Sequence, residues 1–167
     1  MLKGKVWKFG ENISTDHIAP GRYFHLRSNL PELAKHVLED SREDFPKNVE
    51  KGDIIVGGKN FGLGSSREHA PRIIKVAGVS CIIAKSFARI FYRNSINIGL
   101  PVIELKDNGI DEINEKDLLE IDTEKGIVLN LTQNKKYTFI PFPDFINALL
   151  EIGGIDKYVK KYNGYGV

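Results

Sequence analysis

The middle of the sequence alternates short apolar runs with helical patterns, and this alternation limits the fold more than any other feature. Residues 53–56, 79–84 and 100–105 are apolar runs of strand length bounded by Gly or Pro, and residues 66–76 and 87–98 between them have helical spacing. Ser86 is placed to cap the second helix, and Gly99 stands just past its end. Residues 4–9 read as a further strand, and 118–121, 127–131 and 137–140 alternate in the β manner across turn-rich joints. From Pro143 the chain returns to helix, broken near Gly153 and Gly154. The class is mixed α and β. At 167 residues one core closes comfortably, so a single domain over residues 1–167 is expected.

Composition removes several function classes. The 24 basic and 22 acidic residues nearly cancel, and the basic ones are scattered, so no electrostatic footprint for nucleic acid is present; a small anionic substrate stays compatible. No stretch approaches the roughly 20 apolar residues of a membrane span, and MLKGKVWKFGEN holds no apolar run of signal length. A cytoplasmic protein without a membrane partner is expected. The lone Cys81 sits in the apolar run GVSCIIA and reads as a small buried strand residue, which excludes disulfides within the chain. His17, His25, His36 and His69 form no tight ligand pair, so no metal site is expected on this chain.

Between the first strand and Asp53 lies a long polar excursion, NISTDHIAPGRYFHLRSN, followed by a short amphipathic helix near residues 31–39. Excursions of this length are functional or mobile more often than they are filler, which makes this one a candidate binding element.

The stretch NFGLGSSREHA, residues 60–70, lies between a strand and a helix. A capping box, with Ser65 as the cap and Glu68 reaching back, accounts for those two residues at about 1 kcal/mol and implies no function. It leaves Gly62, Gly64 and Arg67 unexplained. Glycines there let the backbone turn sharply and approach a ligand, and free N–H groups at a helix start favour an anion. A nucleotide P-loop is ruled out because Ser65 and Ser66 stand where it needs Lys and Ser or Thr. The third reading makes Ser65 a reactive hydroxyl, with Ser66 and the backbone donating to one substrate carboxylate and Arg67 clamping another. Cap and cradle both remain open on these residues alone.

GLGSSREHA, AKSFARIFYRN and STDHIAPGRY together resemble the swivelling domain of the aconitase family. The three motifs fall in the family's order and span residues 4 to about 105. The resemblance implies an aconitase-type swivelling β/β/α domain, a mixed sheet flanked by helices. A chain of this length is similar to the free-standing small subunits of the split enzymes, which implies a large partner subunit in a heterodimer or heterotetramer. It further implies a hydro-lyase in which Ser65 removes the proton alpha to a carboxylate, while Ser66 and Arg67, with Gly64 in the cradle, hold substrate carboxylates. Asp16 of the TDH motif is implied as polar support of the same site, so the excursion and the glycine loop should meet in space; a turn-forming aspartate is the bland alternative.

A helix terminus supplies only about 1 kcal/mol toward acidifying a serine, roughly one pKa unit, so further donors and a nearby guanidinium must add to it. Departure of hydroxide needs a Lewis acid, which the family supplies as a [4Fe-4S] cluster, expected here on the large subunit. Arg89 and Arg93 stand four apart on a helix and read as solvated or paired, with Arg89 kept as a candidate for holding the glycine loop or the partner surface. His69 reads as structural or interfacial. In the family the loop after the TDH motif helps to select substrate. Here Tyr23, Phe24 and Leu26 offer the apolar contact an isopropyl group needs and Arg27 the charge a tricarboxylate needs. The YLRT pattern of homoaconitase small subunits is absent, Arg27 standing four residues after Tyr23, which favours 2-isopropylmalate, with homoaconitate and 2,3-dimethylmalate as alternatives among small di- and tricarboxylate hydroxy acids. A non-catalytic anion-binding regulatory module is the alternative of another class.

Overall fold

A computed structural model of the protein describes residues 1–106 and 109–162. Strand β1 (Leu2–Lys8) leads into the polar excursion, which winds through helix α1 (Thr15–Ile18), a 3-10 helix (Gly21–Leu26), α2 (Leu30–Ala34) and α3 (Phe45–Asn48). The chain then alternates as β2 (Ile54–Gly57), α4 (His69–Val76), β3 (Cys81–Ala84), α5 (Arg89–Asn97) and β4 (Val102–Glu104). After α6 (Gly109–Glu112) come a meander, β5 (Leu118–Asp122), β6 (Ile127–Asn130) and β7 (Lys135–Thr138), and two closing helices, α7 (Asp144–Ile152) and α8 (Ile155–Tyr162). The expected helical tail is present and breaks at Gly153 and Gly154, both at positive φ; residues 163–167 lie outside the described part.

The seven strands of the described residues form one mixed sheet in the order β4-β3-β2-β1-β5-β6-β7. The half from β4 to β1 is parallel, and the half from β5 to β7 runs antiparallel. β1 serves both, pairing through Leu2 to Lys5 with β5 and through Val6 to Lys8 with β2. Every residue of β2 and of β3 is buried, as parallel strands covered on both faces require. Their side chains divide between two cores. Ile55, Ile82 and Val102 pack with Ala70, Ile73, Ile74 and Phe91 of the helices. Ile54, Val56, Cys81, Ile83 and Ile103 pack instead with Leu119, Ile121 and Val128 of the antiparallel half. The sheet is therefore curled over on itself, with the parallel half between the meander and the helices, which is the expected β/β/α layering. Cys81 is buried as expected, and burial pushes its thiol pKa up, so it stays protonated.

Both helices of the central alternation start later than their spacing predicts. α4 begins at His69 rather than at residue 66, its N-cap position is Glu68, and no side chain caps it. α5 begins at Arg89, and Ser86 does not cap it; the Ser86 hydroxyl instead accepts the Asn60 amide at 2.9 Å. Before α5, Ser86 and Ala88 are committed to backbone bonds with Phe61; before α4 the cross-segment pairing ends at Leu63, and Gly64 at φ +110° turns the chain away from it.

Candidate active site

The three motif segments leave the carboxyl ends of β1, β2 and β3, adjacent parallel strands, and this is where open α/β sheets place their ligands. The segment after β2 runs between the other two. Gly62 donates to Ile13 O at 2.7 Å and the Thr15 amide donates to Leu63 O at 2.8 Å on one side. On the other side Phe61 donates to Ser86 O and Ala88 donates to Phe61 O, both at 3.0 Å. The excursion and the glycine loop thus meet, as the resemblance implied.

Two glycines make this possible. Gly62 has φ +80°, and a Cβ there would lie 2.1 Å from Phe91 Cγ. Gly64 has φ +110°, a conformation that side-chain-bearing residues rarely adopt, and it turns the chain toward Ser65 and Ser66. Gly64, Ser65 and Ser66 are all exposed. The capping-box reading of Ser65 and Glu68 is overturned, because α4 starts beyond both and neither side chain caps it. Helix α1 carries a capping box instead: the Ser14 hydroxyl accepts the His17 amide at 3.2 Å, and the Ser14 amide donates to His17 Nδ1 at 3.0 Å. No signal for it was read from the sequence, because a histidine stands where glutamate or glutamine is customary.

That box fixes the first turn of α1, with Thr15 buried inward and Asp16 exposed. Asp16 Oδ1 lies 2.6 Å from Arg67 Nη1, and the same Nη1 donates to Ala19 O at 2.9 Å. Asp16 therefore orients Arg67, and both contacts spend a single guanidinium nitrogen. The 3-10 helix beside them is held from behind. Arg22 bonds Asp40 Oδ2 and Oδ1 at 2.9 and 2.7 Å, and Tyr23 stacks on His36 with 3.7 Å between ring centroids. Its outer side carries Phe24, which meets His69 edge-on at 6.1 Å, and Arg27, whose guanidinium lies 4.4 Å over the Phe24 ring. The His69 pKa is lowered, first by burial and then by the charges of Arg67 and Arg27. Arg27 is thereby brought to the same surface as Arg67, while Tyr23 and Leu26 turn into the core. A hollow of about 850 Å³ lies farther along this edge, between α5, β4 and the segment before α7. Arg89 lines it, with Phe87, Tyr92 and Ile140, and no residue of the serine loop does. Arg89 does not hold the glycine loop; the backbone of Ser86 and Ala88 does.

Among the described residues no three His, Cys, Asp or Glu side chains stand together as metal ligands. With its thiol buried in β3, this chain does not fit an iron–sulfur cluster. No helix of the described residues is long and apolar enough to cross a membrane.

The family model for the aconitase C-terminal domain matches residues 13–108, which include all three motif segments. The 3-isopropylmalate dehydratase small subunit 1 of Thermotoga maritima is 70% identical over 99% of this chain and 98% of its own length. Small subunit 2 of the same enzyme from Archaeoglobus fulgidus is 58% identical over 96% of each. The crystal structure of 3-isopropylmalate dehydratase from Methanocaldococcus jannaschii superposes with a TM-score of 0.89 at 43% identity, covering 97% of this chain and 95% of that one. The chain therefore belongs to the aconitase C-terminal domain family and, within it, to the 3-isopropylmalate dehydratase small subunits.

Proposed function

We propose that this chain is the substrate-gripping and proton-removing half of a two-subunit hydro-lyase that converts 2-isopropylmalate to 3-isopropylmalate through isopropylmaleate, in leucine biosynthesis. The observation that carries it is the Asp16–Arg67 pair beside an exposed Ser65, on an edge where three separate motif segments converge. Ser65 takes the proton alpha to a carboxylate. Arg67, oriented by Asp16, offers its remaining nitrogens to one substrate carboxylate, with Ser66 and the Gly64 turn beside it. Arg27 supplies a second cation for the other carboxylate, and the exposed Phe24 ring gives the isopropyl group an apolar contact. Two carboxylates against two guanidinium groups suit a dianion better than a tricarboxylate such as homoaconitate.

The open surface around Ser65 fits a site completed by another chain, since water-exposed donors discriminate weakly between charge states. That chain is the large subunit, in a heterodimer or heterotetramer, and the [4Fe-4S] cluster that supplies the Lewis acid is placed there. We read residues 1–167 as one swivelling domain working in the cytoplasm, with neither nucleic acid nor membrane as a partner.

The test is anaerobic turnover of 2-isopropylmalate, followed as isopropylmaleate absorbance, in a mixture with the cluster-loaded large subunit. Ser65→Ala is expected to cost about 10²–10⁴ in kcat, the range for loss of a general base. Full activity of the Ser65→Ala mixture would remove Ser65 from the chemistry, and turnover of homoaconitate or 2,3-dimethylmalate alone would move the substrate.

A further inference from the structure

The Ser65 hydroxyl has a neighbour to which the site as described gives no role. Thr15 is 2% exposed, lies in the first turn of α1, and places Oγ1 3.3 Å from Ser65 Oγ. Its amide bond to Leu63 O ties its backbone to the loop two residues before Ser65. A Cβ at Gly64 would come within 3.1 Å of Thr15 Oγ1, so that glycine also admits the buried hydroxyl against the loop. A buried hydroxyl requires a partner for its proton, and Ser65 Oγ is the side-chain oxygen within reach.

We propose that Thr15 is a positioning residue for the base, donating its hydrogen bond to Ser65 Oγ and so aiming that oxygen and favouring its ionised form. This rests on the reading of Ser65 as the base. No proton leaves Thr15: the Ser65 alkoxide takes the substrate's α-proton and becomes the hydroxyl, the C–H electron pair stays with the substrate carbon, and the Thr15 O–H bond persists throughout. A separation of 3.3 Å is long between two neutral hydroxyls and contracts when the acceptor carries charge. The contact therefore strengthens in the state that does the work, which is what a catalytic site requires. The other charged and titratable groups of the packed elements are Asp16 and His17 on α1, Arg67 and Glu68 in the loop, and His69, Arg72 and Lys75 on α4. Arg67, itself paired with Asp16, is the cation among them next to the serines.

A reporter thiol tests the coupling without any turnover. Ser65→Cys is made in the full chain, whose own Cys81 is 0% exposed, and alkylation by iodoacetamide is followed against pH with Thr15, Thr15→Val and Thr15→Ser. Thr15→Val keeps shape and removes the hydroxyl, so the introduced thiol is expected to titrate higher and to react about threefold to tenfold more slowly near neutrality. Thr15→Ser should restore the rate, and Thr15→Ala should match Thr15→Val if the hydroxyl rather than packing is responsible. In the assembled enzyme with Ser65 intact, Thr15→Val should lower kcat about tenfold with KM within about twofold, and Thr15→Ser should recover most of it. Coinciding alkylation profiles for Thr15 and Thr15→Val overturn the proposal whether or not the enzyme turns over. A shifted profile beside a Ser65→Ala enzyme of full activity keeps the Thr15–Ser65 coupling and removes Ser65 as the base.

Discussion

Substituting Gly62 by alanine should damage the protein through a route that can be followed atom by atom. The new Cβ would stand 2.1 Å from Phe91 Cγ and 2.5 Å from Phe91 Cβ, at a backbone φ of +80°. Phe91 has little freedom to retreat, being 3% exposed and packed against Phe61 at 5.6 Å and Phe87 at 6.3 Å. The left-handed backbone costs about 1–2 kcal/mol for a residue with a Cβ, and overpacking a close-packed core costs about 1–3 more. The sum is about 2–5 kcal/mol, or a drop of roughly 10 °C in Tm for a chain of this size. Urea unfolding by far-UV circular dichroism gives the free energy directly. Gly10→Ala is the matched control, since nothing lies within 4 Å of its new Cβ. Phe91→Leu combined with Gly62→Ala should return part of the loss, because the two positions share one space. A Gly62→Ala protein within about 0.5 kcal/mol of the parent, the size of an ordinary surface change, would refute the packing argument for this loop.

Asp16→Ala frees Arg67 from one of its two anchors, in a pair whose carboxylate side chain is 67% exposed. Thermal unfolding should move by less than about 1 kcal/mol equivalent, while kcat/KM in the assembled enzyme falls about tenfold or more; an unchanged kcat/KM would show that Arg67 needs no orienting. Asp117→Asn tests a carboxylate far from the site. Burial pushes the Asp117 pKa up, but bonds from the Asn114 amide, Asn130 and Gln133 outweigh it and hold the pKa below the usual 3.8. A lowered folded-state pKa stabilises above the unfolded value and loses that stabilisation as pH falls through the folded one. The parent should exceed the variant by about 1–3 kcal/mol at pH 7, with the gap closing below about pH 3.8; a gap that stays constant from pH 7 to 3 would contradict this assignment.

The strands were legible because their signal is local. β2, β3 and β4 are runs of Ile and Val that no helix pattern explains, and the meander strands β5 and β6 alternate between turn residues, whereas β7 lies at Lys135–Thr138, two residues before the expected 137–140. Helix starts were not legible, because they are decided across the sheet. Ser65 and Ser86 look like caps in one dimension, yet Ser86 is taken up by pairing with residue 61, and α4 starts only at His69, past the Gly64 turn. The same non-local pairing hid Thr15, an unremarkable residue in sequence whose importance lies in a contact 50 positions away. Arg67 was legible as a cation for a carboxylate, but its tether to Asp16 and Ala19 was not, since only the crossing of α1 over the loop creates it. The 3-10 helix was read only as a polar excursion, because its backbone is fixed by Arg22 and Tyr23 gripping Asp40 and His36 farther along.

The double duty of β1 sets the order in which this molecule assembles. Its partners β2 and β5 both come much later in the chain, so a newly made β1 has nothing to pair with. The run from β2 to β4 closes over short sequence distances and is the natural nucleus. The first strand can then add to β2 through Val6 to Lys8, but its other edge stays open until the meander exists to take it. Closure of β1 onto β5 should be the slow last event of folding, and a chain halted before β5 should keep an open strand edge exposed to aggregation.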